Sequence, residues 1–294
     1  MMQDQAQNLR EVLSESSKVA VAEHQRTANF ICISSGKGGV GKSNFTANLA
    51  KELSNRGKKV VIIDADLGLA NIEILFGVVV KNNFFDVIKG DLGIKDIMTV
   101  VAPNLSIISG GSGILEMADV DEIKLKKVVT SLSYLNNVSD YVLIDTGAGI
   151  SNVVTSFAQI ASELIVITTT EPTSIADSYA LIKVVSNKDR NKKISLVINK
   201  ADNQKDANEV FTNINAVAEK FINKKLEYLG FIYEDPNVAR AVKKQKPIIE
   251  TAPQNRVSKC IVAICDKVTK EETTNQSQNF SNFIDKFKGL FRKV

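Results

Sequence analysis

A glycine-rich segment carries the clearest chemical signal in this chain. Residues 36–43 read GKGGVGKS and match the pattern G-x-x-x-x-G-K-[ST] of a phosphate-binding loop. Glycines let successive backbone N–H groups turn toward phosphate oxygens, and the following helix adds its positive N-terminal end. The pattern predicts that Lys42 bridges the β- and γ-phosphates and that the Ser43 hydroxyl binds Mg²⁺. The bland alternative is a glycine-rich turn without a ligand. The predicted nucleotide-binding residues of this segment are Gly36, Lys37, Gly38, Gly39, Val40, Gly41, Lys42, Ser43 and Asn44.

Three aspartates follow apolar runs elsewhere in the chain. Asp145 ends the run Tyr141–Ile144, where a Walker B aspartate would hold Mg²⁺ through water. Asp64 and Asp66 end the run Val60–Ile63, which places two carboxylates at the carboxyl edge of a sheet, where ligands bind. An aspartate at a strand end also serves commonly as a helix cap or turn residue. Together with the phosphate loop, the three favour a metal and hydrolysis site.

The elements that would position these residues alternate along the chain. Seven apolar runs predict buried parallel strands: Phe30–Ser34, Val60–Asp64, Leu105–Ser109, Tyr141–Asp145, Leu164–Thr168, Ile194–Asn199 and Tyr228–Tyr233. Segments with helical spacing include Phe45–Leu53, Ile123–Leu135, Val153–Ala161, Ile175–Val185, Val210–Phe221 and Val257–Val268. Alternating strands and helices imply an α/β fold, a doubly wound, mostly parallel sheet with helices on both faces.

The composition excludes several classes of protein. The 294 residues carry a net charge of +4, and 44% are hydrophobic, as in a globular chain with a sizeable core. His24 is the only histidine, which excludes a histidine-based metal site and a Ser-His-Asp triad. The three cysteines form neither a CxxC pair nor a disulfide framework, and no secretory signal is recognisable, so the expected compartment is the reducing cytosol.

With these residues in place, the chain resembles the MinD/ParA family of P-loop ATPases with a deviant Walker A motif. The diagnostic feature is KGGVGKS, in which Lys37 follows the first glycine. Further similar stretches are VVIIDADLGLANIEILFG, DYVLIDTGAGI, TTTEPTSIADSYALIK and GFIYEDPNVARAVKKQKPII. The resemblance implies an ATP-dependent homodimer that sandwiches two ATP molecules.

The resemblance also assigns roles to individual residues. It implies that Lys37 reaches the phosphates of the partner subunit and that Asp66 positions or activates the attacking water. The residues that would bind the metal are Ser43, Asp64 and Asp145. Three residues would lie near adenine: Asn199, Glu234 and Asp235. The implied cofactors are therefore ATP and Mg²⁺, and the implied activity is slow, switch-type ATP hydrolysis.

Within that family, some motifs depart from MinD and resemble the flagellar-number regulators called FlhG, FleN or YlxH. These motifs are GLAN at residues 68–71 and DTGAGI at residues 145–150. The N-terminal segment matches the subfamily motif DQAxxLR, with the partner-binding residues Asp4, Gln5, Ala6, Leu9 and Arg10. In that subfamily the segment docks on the signal-recognition-type GTPase FlhF and stimulates GTP hydrolysis. The resemblance thus implies an FlhF-type GTPase and flagellar basal-body or C-ring components as partners; the alternative is a polar tail without a partner.

The last 15 residues have the pattern of an interfacial membrane helix. On a helical wheel the apolar residues fall within an arc of about 120°; the membrane-facing set includes Phe280, Phe283, Ile284, Phe287, Leu290 and Phe291. Four basic residues flank this stripe, which favours binding to an anionic membrane surface. The alternative is a final core helix. MinD-like proteins carry a similar tail, and this resemblance implies a cytoplasmic protein that is peripheral on the inner face of the cell membrane in the ATP-bound state.

Four regions follow from these observations. We expect a partner-activating extension at 1–26, a P-loop ATPase domain at 27–269, a flexible linker at 270–279 and a membrane-targeting helix at 280–294.

Iron–sulfur carriers share KGGVGKS, but Cys32, Cys260 and Cys265 are poorly placed as ligands. A ParA-type partition ATPase would need a basic DNA surface, so nucleic acid is not expected as a partner. A MinD-type division-site regulator remains the main competitor.

Overall fold

Eight strands form one sheet in the part of the chain that the structure describes. The computed structural model describes residues 28–66, 71–89, 92–110 and 131–270. In chain order the strands are β1 (Asn29–Ser35), β2 (Val60–Ala65), β3 (Thr99–Ala102), β4 (Leu105–Ser109), β5 (Tyr141–Ala148), β6 (Glu163–Thr168), β7 (Lys193–Ala201) and β8 (Glu227–Tyr233). Their order in the sheet is β3-β4-β2-β5-β1-β6-β7-β8, and every pair is parallel except β3 with β4.

Helices cover both faces of this sheet because its strands are apolar on both sides. They are α1 (Lys42–Asn55), α2 (Ile72–Phe76), α3 (Phe84–Lys89), α4 (residues 131–138), α5 (Asn152–Ile160), α6 (Pro172–Lys188), α7 (Gln204–Ile222), α8 (Pro236–Lys243), α9 (Ile248–Thr251) and α10 (Arg256–Lys270), with a 3₁₀ turn at Ile94–Ile97. One core cluster packs α3 to α7 on the sheet, and a second packs α1, α2 and α8 to α10 on the opposite face. In β1 the alternation is visible directly, since Cys32 belongs to the first cluster and Ile33 to the second.

The predicted fold class is confirmed: all seven predicted strands are present. The sequence prediction omitted β3, an antiparallel strand of four residues at the edge of the sheet, where Val100 is exposed. The stretch IMTVVA at residues 97–102 is apolar, but only its last four residues form the strand, and so short an apolar run does not distinguish a strand from other structure. The predicted helix Ile123–Leu135 lies largely outside the described residues, which are helical from 131 to 138.

The parallel topology brings the ends of four strands to one edge. The carboxyl ends of β1, β2, β5 and β7 lead into the segments that contain the predicted nucleotide and metal residues. Because β1 lies between β5 and β6, the segment after it has carboxylate-bearing strands on one side and β6 and β7 on the other. Such an edge is where doubly wound sheets bind ligands.

Candidate functional site

The loop between β1 and α1 depends on glycines for two physical reasons. Gly39 and Gly41 have φ angles of 77° and 91°, in the left-handed region that favours glycine. Gly36 is required by close packing, since a Cβ there would overlap the backbone of Asp177 and Ser178 in α6. Val40, the apolar residue of the loop, is buried in the second core cluster and anchors it.

The start of α1 suits an anion. Its N-cap is Gly41, which supplies no side-chain acceptor for the first N–H groups of the helix. These orphan donors and the helix dipole together form a ready phosphate-binding position. Asn44 lies in the first turn of the same helix, and its backbone and side-chain oxygens both accept bonds from Asn48.

A buried cluster joins the loop to β5. Asp145 is 0% exposed, and its Oδ1 lies 3.1 Å from the Nζ atom of Lys42, which is 7% exposed. Ser43 Oγ donates to Asp145 Oδ2 at 2.6 Å, and Thr46 Oγ1 donates to Oδ1 at 2.8 Å. Burial raises the pKa of Asp145, while Lys42 and the two hydroxyl donors oppose the rise. An ammonium, a hydroxyl and a carboxylate are thus held together at the base of the loop.

Thr46 was not among the residues singled out in the sequence. It lies four residues after Lys42, which places both on one face of α1, and its hydroxyl also donates to the Lys42 carbonyl. The sequence could have indicated Thr46, because a residue one helical turn after the loop lysine lies on the same face of α1 as that lysine. It fixes the Asp145 carboxylate from the helix side.

A second carboxylate lies beside Asp145. Asp64 is 4% exposed and is the register partner of Asp145 across the β2–β5 pair. Its Oδ1 accepts the N–H of Asp66 at 3.1 Å, and its Oδ2 accepts those of Asn71 and Ile72 at 3.0 and 3.1 Å. Burial, and then the nearby charge of Asp145, raise the pKa of Asp64 to about 6. Two buried carboxylates side by side with a serine hydroxyl fit a hard cation such as Mg²⁺, which binds through few protein oxygens and keeps several waters.

Asp66 lies at the mouth of the same cluster. Its Oδ1 would be 3.5 Å from a Cβ on Gly147, the residue two positions after Asp145. The Asp66 carboxylate therefore lies close to the backbone of Gly147 in β5. The structure thus brings Lys42, Ser43, Asp64, Asp66 and Asp145 together at one edge of the sheet.

The shifted pKa of Asp64 gives a testable pH dependence. Because its pKa is higher in the folded chain than the ordinary 3.8, the folded state holds more protons between about pH 4 and 6, and stability falls as the pH rises through that window. A shift to about 6 corresponds to roughly 3 kcal/mol at full ionisation. Urea unfolding of the nucleotide-free and metal-free protein from pH 4 to 7 should show this decline, and Asp64→Asn should lack it. If the free energies of unfolding of the two proteins differed by the same amount at every pH in that range, the raised pKa of Asp64 would be contradicted.

Lys37 lies apart from this cluster. Its Nζ atom is 2.8 Å from Glu171 Oε2 and 3.0 Å from Thr173 Oγ1, at the start of α6, and the pair is exposed. Hydrogen bonding to Lys37 lowers the pKa of Glu171. The lysine after the first glycine therefore contacts the surface between the loop and α6, away from Asp145 of its own chain.

The three predicted adenine contacts lie in two places. Asn199, near the end of β7, donates its Nδ2 to the Val40 carbonyl at 2.7 Å and so contacts the loop directly. Asp235 caps α8 through Asn237 N at 2.8 Å and pairs with Arg256 Nε at 3.1 Å. Glu234 has an exposed side chain, and its carbonyl accepts from Arg256 at 2.6 Å. Asp235 thus has a structural role whatever else it contacts.

The cysteines are packing residues in the described part of the chain. Cys32 in β1 and Cys265 in α10 are fully buried, and burial raises the pKa of Cys32 to about 12. Among residues 28–66, 71–89, 92–110 and 131–270, no group of three or more His, Cys, Asp or Glu side chains could hold a metal ion. In the same residues, no helix has both the length and the apolar content to span a membrane.

The predicted partner and membrane segments lie outside the described residues. This applies to the N-terminal residues from Asp4 to Arg10 and to the C-terminal residues from Phe280 to Phe291. Their assignments therefore stay predictions from the sequence.

Comparison with known proteins gives consistent matches. A family model described as "ParA: NUBPL iron-transfer P-loop NTPase" matches residues 26–269. The antiactivator FleN of Pseudomonas aeruginosa is 33% identical over 238 residues, 81% of this chain and 85% of FleN. The flagellum site-determining protein YlxH of Helicobacter pylori is 35% identical over 277 residues, 92% of each chain.

A solved structure matches the fold over most of the chain. The septum site-determining protein MinD from Pyrococcus horikoshii, complexed with Mg-ADP, aligns with a TM-score of 0.67 and 25% identity, covering 84% of this chain and 98% of that one. With a phosphate loop, a family match across residues 26–269 and two relatives above 30% identity, the chain belongs to the ParA/MinD family of P-loop NTPases.

Proposed function

We propose that this chain is an ATPase switch that binds ATP with Mg²⁺ at the loop between β1 and α1. The observation that carries the proposal is the buried cluster in which Asp145 binds Lys42, Ser43 and Thr46 within 3.1 Å. All three donors lie at the N-terminal end of α1, whose own N–H groups have no side-chain cap. Lys42 and Ser43 are therefore held where a phosphate chain would lie.

The Lys42–Asp145 pair suggests how the site accepts a nucleotide. The buried Lys42 and Asp145 compensate each other's charge, since an uncompensated buried charge is costly. Lys42 would bind β- and γ-phosphate oxygens of ATP, and Asp145 would hold Mg²⁺ through a water. Mg²⁺ would neutralise charge on the phosphates, and Ser43, Asp64 and Asp145 are the residues that would hold it.

Hydrolysis in this proposal depends on Asp66 and on a second subunit. Asp66 lies beside Gly147 and next to Asp64, and its carboxylate would orient the attacking water or accept its proton. Lys37 lies on the exposed side of the loop, paired with Glu171, and would reach the phosphates of a partner subunit after dimerisation. A requirement for two subunits makes hydrolysis slow and couples it to assembly.

The biological role we propose is control of the number and placement of flagella. The support is the similarity to FleN and YlxH, together with the DQAxxLR-like segment at Asp4–Arg10 and the motif GLAN. The proposed partners are an FlhF-type GTPase and flagellar basal-body or C-ring components. We further propose that residues 280–294 bind the anionic inner face of the membrane, with two helices of an ATP dimer acting together, because one short helix binds weakly.

A MinD-type role in division-site selection is the second candidate. The similarity to MinD of Pyrococcus horikoshii supports it, and the amphipathic C-terminal segment suits it equally. The N-terminal segment separates the two roles, because only the flagellar role needs it. A ParA-type DNA partition ATPase is less favoured, because the chain has no pronounced basic excess.

Deleting residues 1–26 tests the flagellar proposal. We expect the shortened protein to retain its ATPase activity within about twofold, because the deleted residues precede β1, and to lose its stimulation of an FlhF-type GTPase. The measurement is GTP turnover of the purified GTPase with and without each protein.

A point variant tests the same N-terminal segment with a much smaller change. Leu9→Asp removes an apolar residue of the proposed docking face and should behave like the deletion. A shortened protein that still stimulates the GTPase would overturn the N-terminal assignment and favour the MinD-type role.

A further inference from the structure

Two basic segments lie at the edge of the sheet opposite the phosphate loop, where the parallel strands begin. They lead into β7 and β8 and are residues 188–193 (KDRNKK) and 220–227 (KFINKKLE), with seven basic and two acidic residues in all. Because the whole chain has a net charge of only +4, this edge concentrates positive charge in a way that the composition does not reveal. We call the surface formed by these two segments the basic edge.

The two segments are joined into one surface. Lys224 Nζ donates to the carbonyl of Arg190 at 3.0 Å and also to the carbonyl of Lys192. A cleft of about 540 Å³ lies between the ends of α6 and α7, and its lining includes Arg190, Lys220 and Lys224. Arg190, Lys220 and Lys225 are exposed, and none of them forms an ion pair with a residue that the structure describes. Their charges are therefore available to an anionic partner.

An exposed aromatic side chain lies at the same edge. Phe221, in the last turn of α7, is 67% exposed, and Lys220 Nζ lies 5.4 Å from the centre of its ring. Val217, one helical turn earlier on the same face, is also exposed. The helix dipole explains positive charge at the end of a helix, but it does not explain an exposed phenylalanine. Basic side chains around an apolar one are typical of surfaces that bind the headgroup region of anionic membranes.

The end of α10 leads the chain to this edge. Lys267 Nζ donates to the carbonyl of Tyr228, the second residue of β8, at 2.9 Å. The last described residue, Lys270, is less than one helical turn further and therefore lies close to the start of β8. Nine residues, 271–279, separate it from the segment 280–294 and can span at most about 30 Å. A membrane that binds 280–294 is therefore within reach of the basic edge.

We propose that the basic edge is a second membrane-contacting surface, which binds the headgroups of anionic phospholipids and inserts Phe221 at the interface. This role rests on the proposed anchoring by residues 280–294 and adds a second contact to it. Two contacts joined by a short segment raise the avidity for one membrane without either contact becoming stronger.

Co-sedimentation of the full-length chain with vesicles tests the role of the charge. The vesicles contain equal parts of phosphatidylglycerol and phosphatidylcholine, and ATP and Mg²⁺ are present. Because one basic residue near an anionic surface contributes roughly fivefold and its reversal adds repulsion, Lys220→Glu should weaken binding about tenfold or more. Lys205→Glu makes the same change of charge near the other end of α7, about 22 Å away and beyond the screening length, and should bind like the wild type.

A fluorescent reporter tests the insertion of the aromatic side chain. The chain contains no tryptophan, so Phe221→Trp introduces a single one. With ATP and the anionic vesicles, the emission of this variant should shift to the blue and be quenched by brominated lipid chains. Lys205→Trp, at an exposed position on the same helix, should show neither change.

The outcomes separate this surface from the proposed anchor. Wild-type protein that sediments with the vesicles, together with Lys220→Glu that binds equally well or Phe221→Trp that is not quenched, would overturn the role of the basic edge and leave the anchor intact. Loss of binding to duplex DNA or to an acidic protein in Lys220→Glu, with vesicle binding unchanged, would overturn the lipid assignment in the same way. Wild-type protein that does not sediment would overturn the membrane anchor itself.

Discussion

Replacing Lys42 with alanine should weaken ATP binding and abolish ATP-dependent recruitment to anionic liposomes. Lys42 is the buried ammonium at the base of the loop, and its loss removes the charge that would meet the β- and γ-phosphates. In enzymes, the loss of one such preorganised donor typically lowers the rate of turnover about 100- to 1,000-fold. The variant also leaves Asp145 without its cation, so we expect a lower melting temperature in the absence of nucleotide.

The matching control is another lysine-to-alanine change on the surface. Lys205, exposed near the start of α7, makes no ion pair with the described residues, so Lys205→Ala should bind ATP and liposomes like the wild type. The measurements are ATP affinity and liposome co-sedimentation with and without ATP. Sedimentation of Lys42→Ala that equals that of the wild type would show that membrane binding is independent of the loop.

Asp66→Ala should separate ATP binding from ATP hydrolysis. The hydrogen bond from Asp66 to Asp64 comes from the backbone N–H, which alanine keeps, so the fold and the loop should be retained. Loss of a residue that orients or deprotonates water lowers turnover by about 100- to 10,000-fold. We therefore expect an ATP-bound dimer that accumulates because it hydrolyses ATP too slowly to dissociate.

Lys42→Ala is the informative contrast for this variant. It should lose both binding and turnover, whereas Asp66→Ala should lose turnover alone. Phosphate release and size-exclusion chromatography with ATP and Mg²⁺ measure the two properties. An Asp66→Ala protein that stays monomeric with ATP, or that hydrolyses ATP at the wild-type rate, would be inconsistent with this role.

The chemical centre could be predicted from the sequence because its parts follow buried strands. An apolar run that ends in a polar residue gives both the strand and its carboxyl edge, and this was sufficient to place Asp64, Asp145 and the loop at one edge. Parallel pairing then forces these ends together, as the register of Asp64 with Asp145 shows. The prediction needed no knowledge of side-chain contacts.

Other features had no equivalent signal. The edge strand β3 covers only the last four residues of the apolar stretch at 97–102, and a run this short does not by itself indicate a strand. The contact of Thr46 with Asp145 and that of Lys200 with Gly39 depend on three-dimensional packing between segments about 100 or more residues apart. The pairing of Lys37 with Glu171 likewise joins two loops that only the sheet order brings together.

The central claim is that ATP converts a monomer into a dimer through this site. Size-exclusion chromatography with light scattering on the full-length protein tests it directly, with Mg²⁺ and either ATP, ADP or no nucleotide, using Asp66→Ala to suppress turnover. The 32.1 kDa chain should give a mass near that of two chains with ATP and near that of one chain otherwise. An identical mass in all three conditions would contradict an ATP-driven switch.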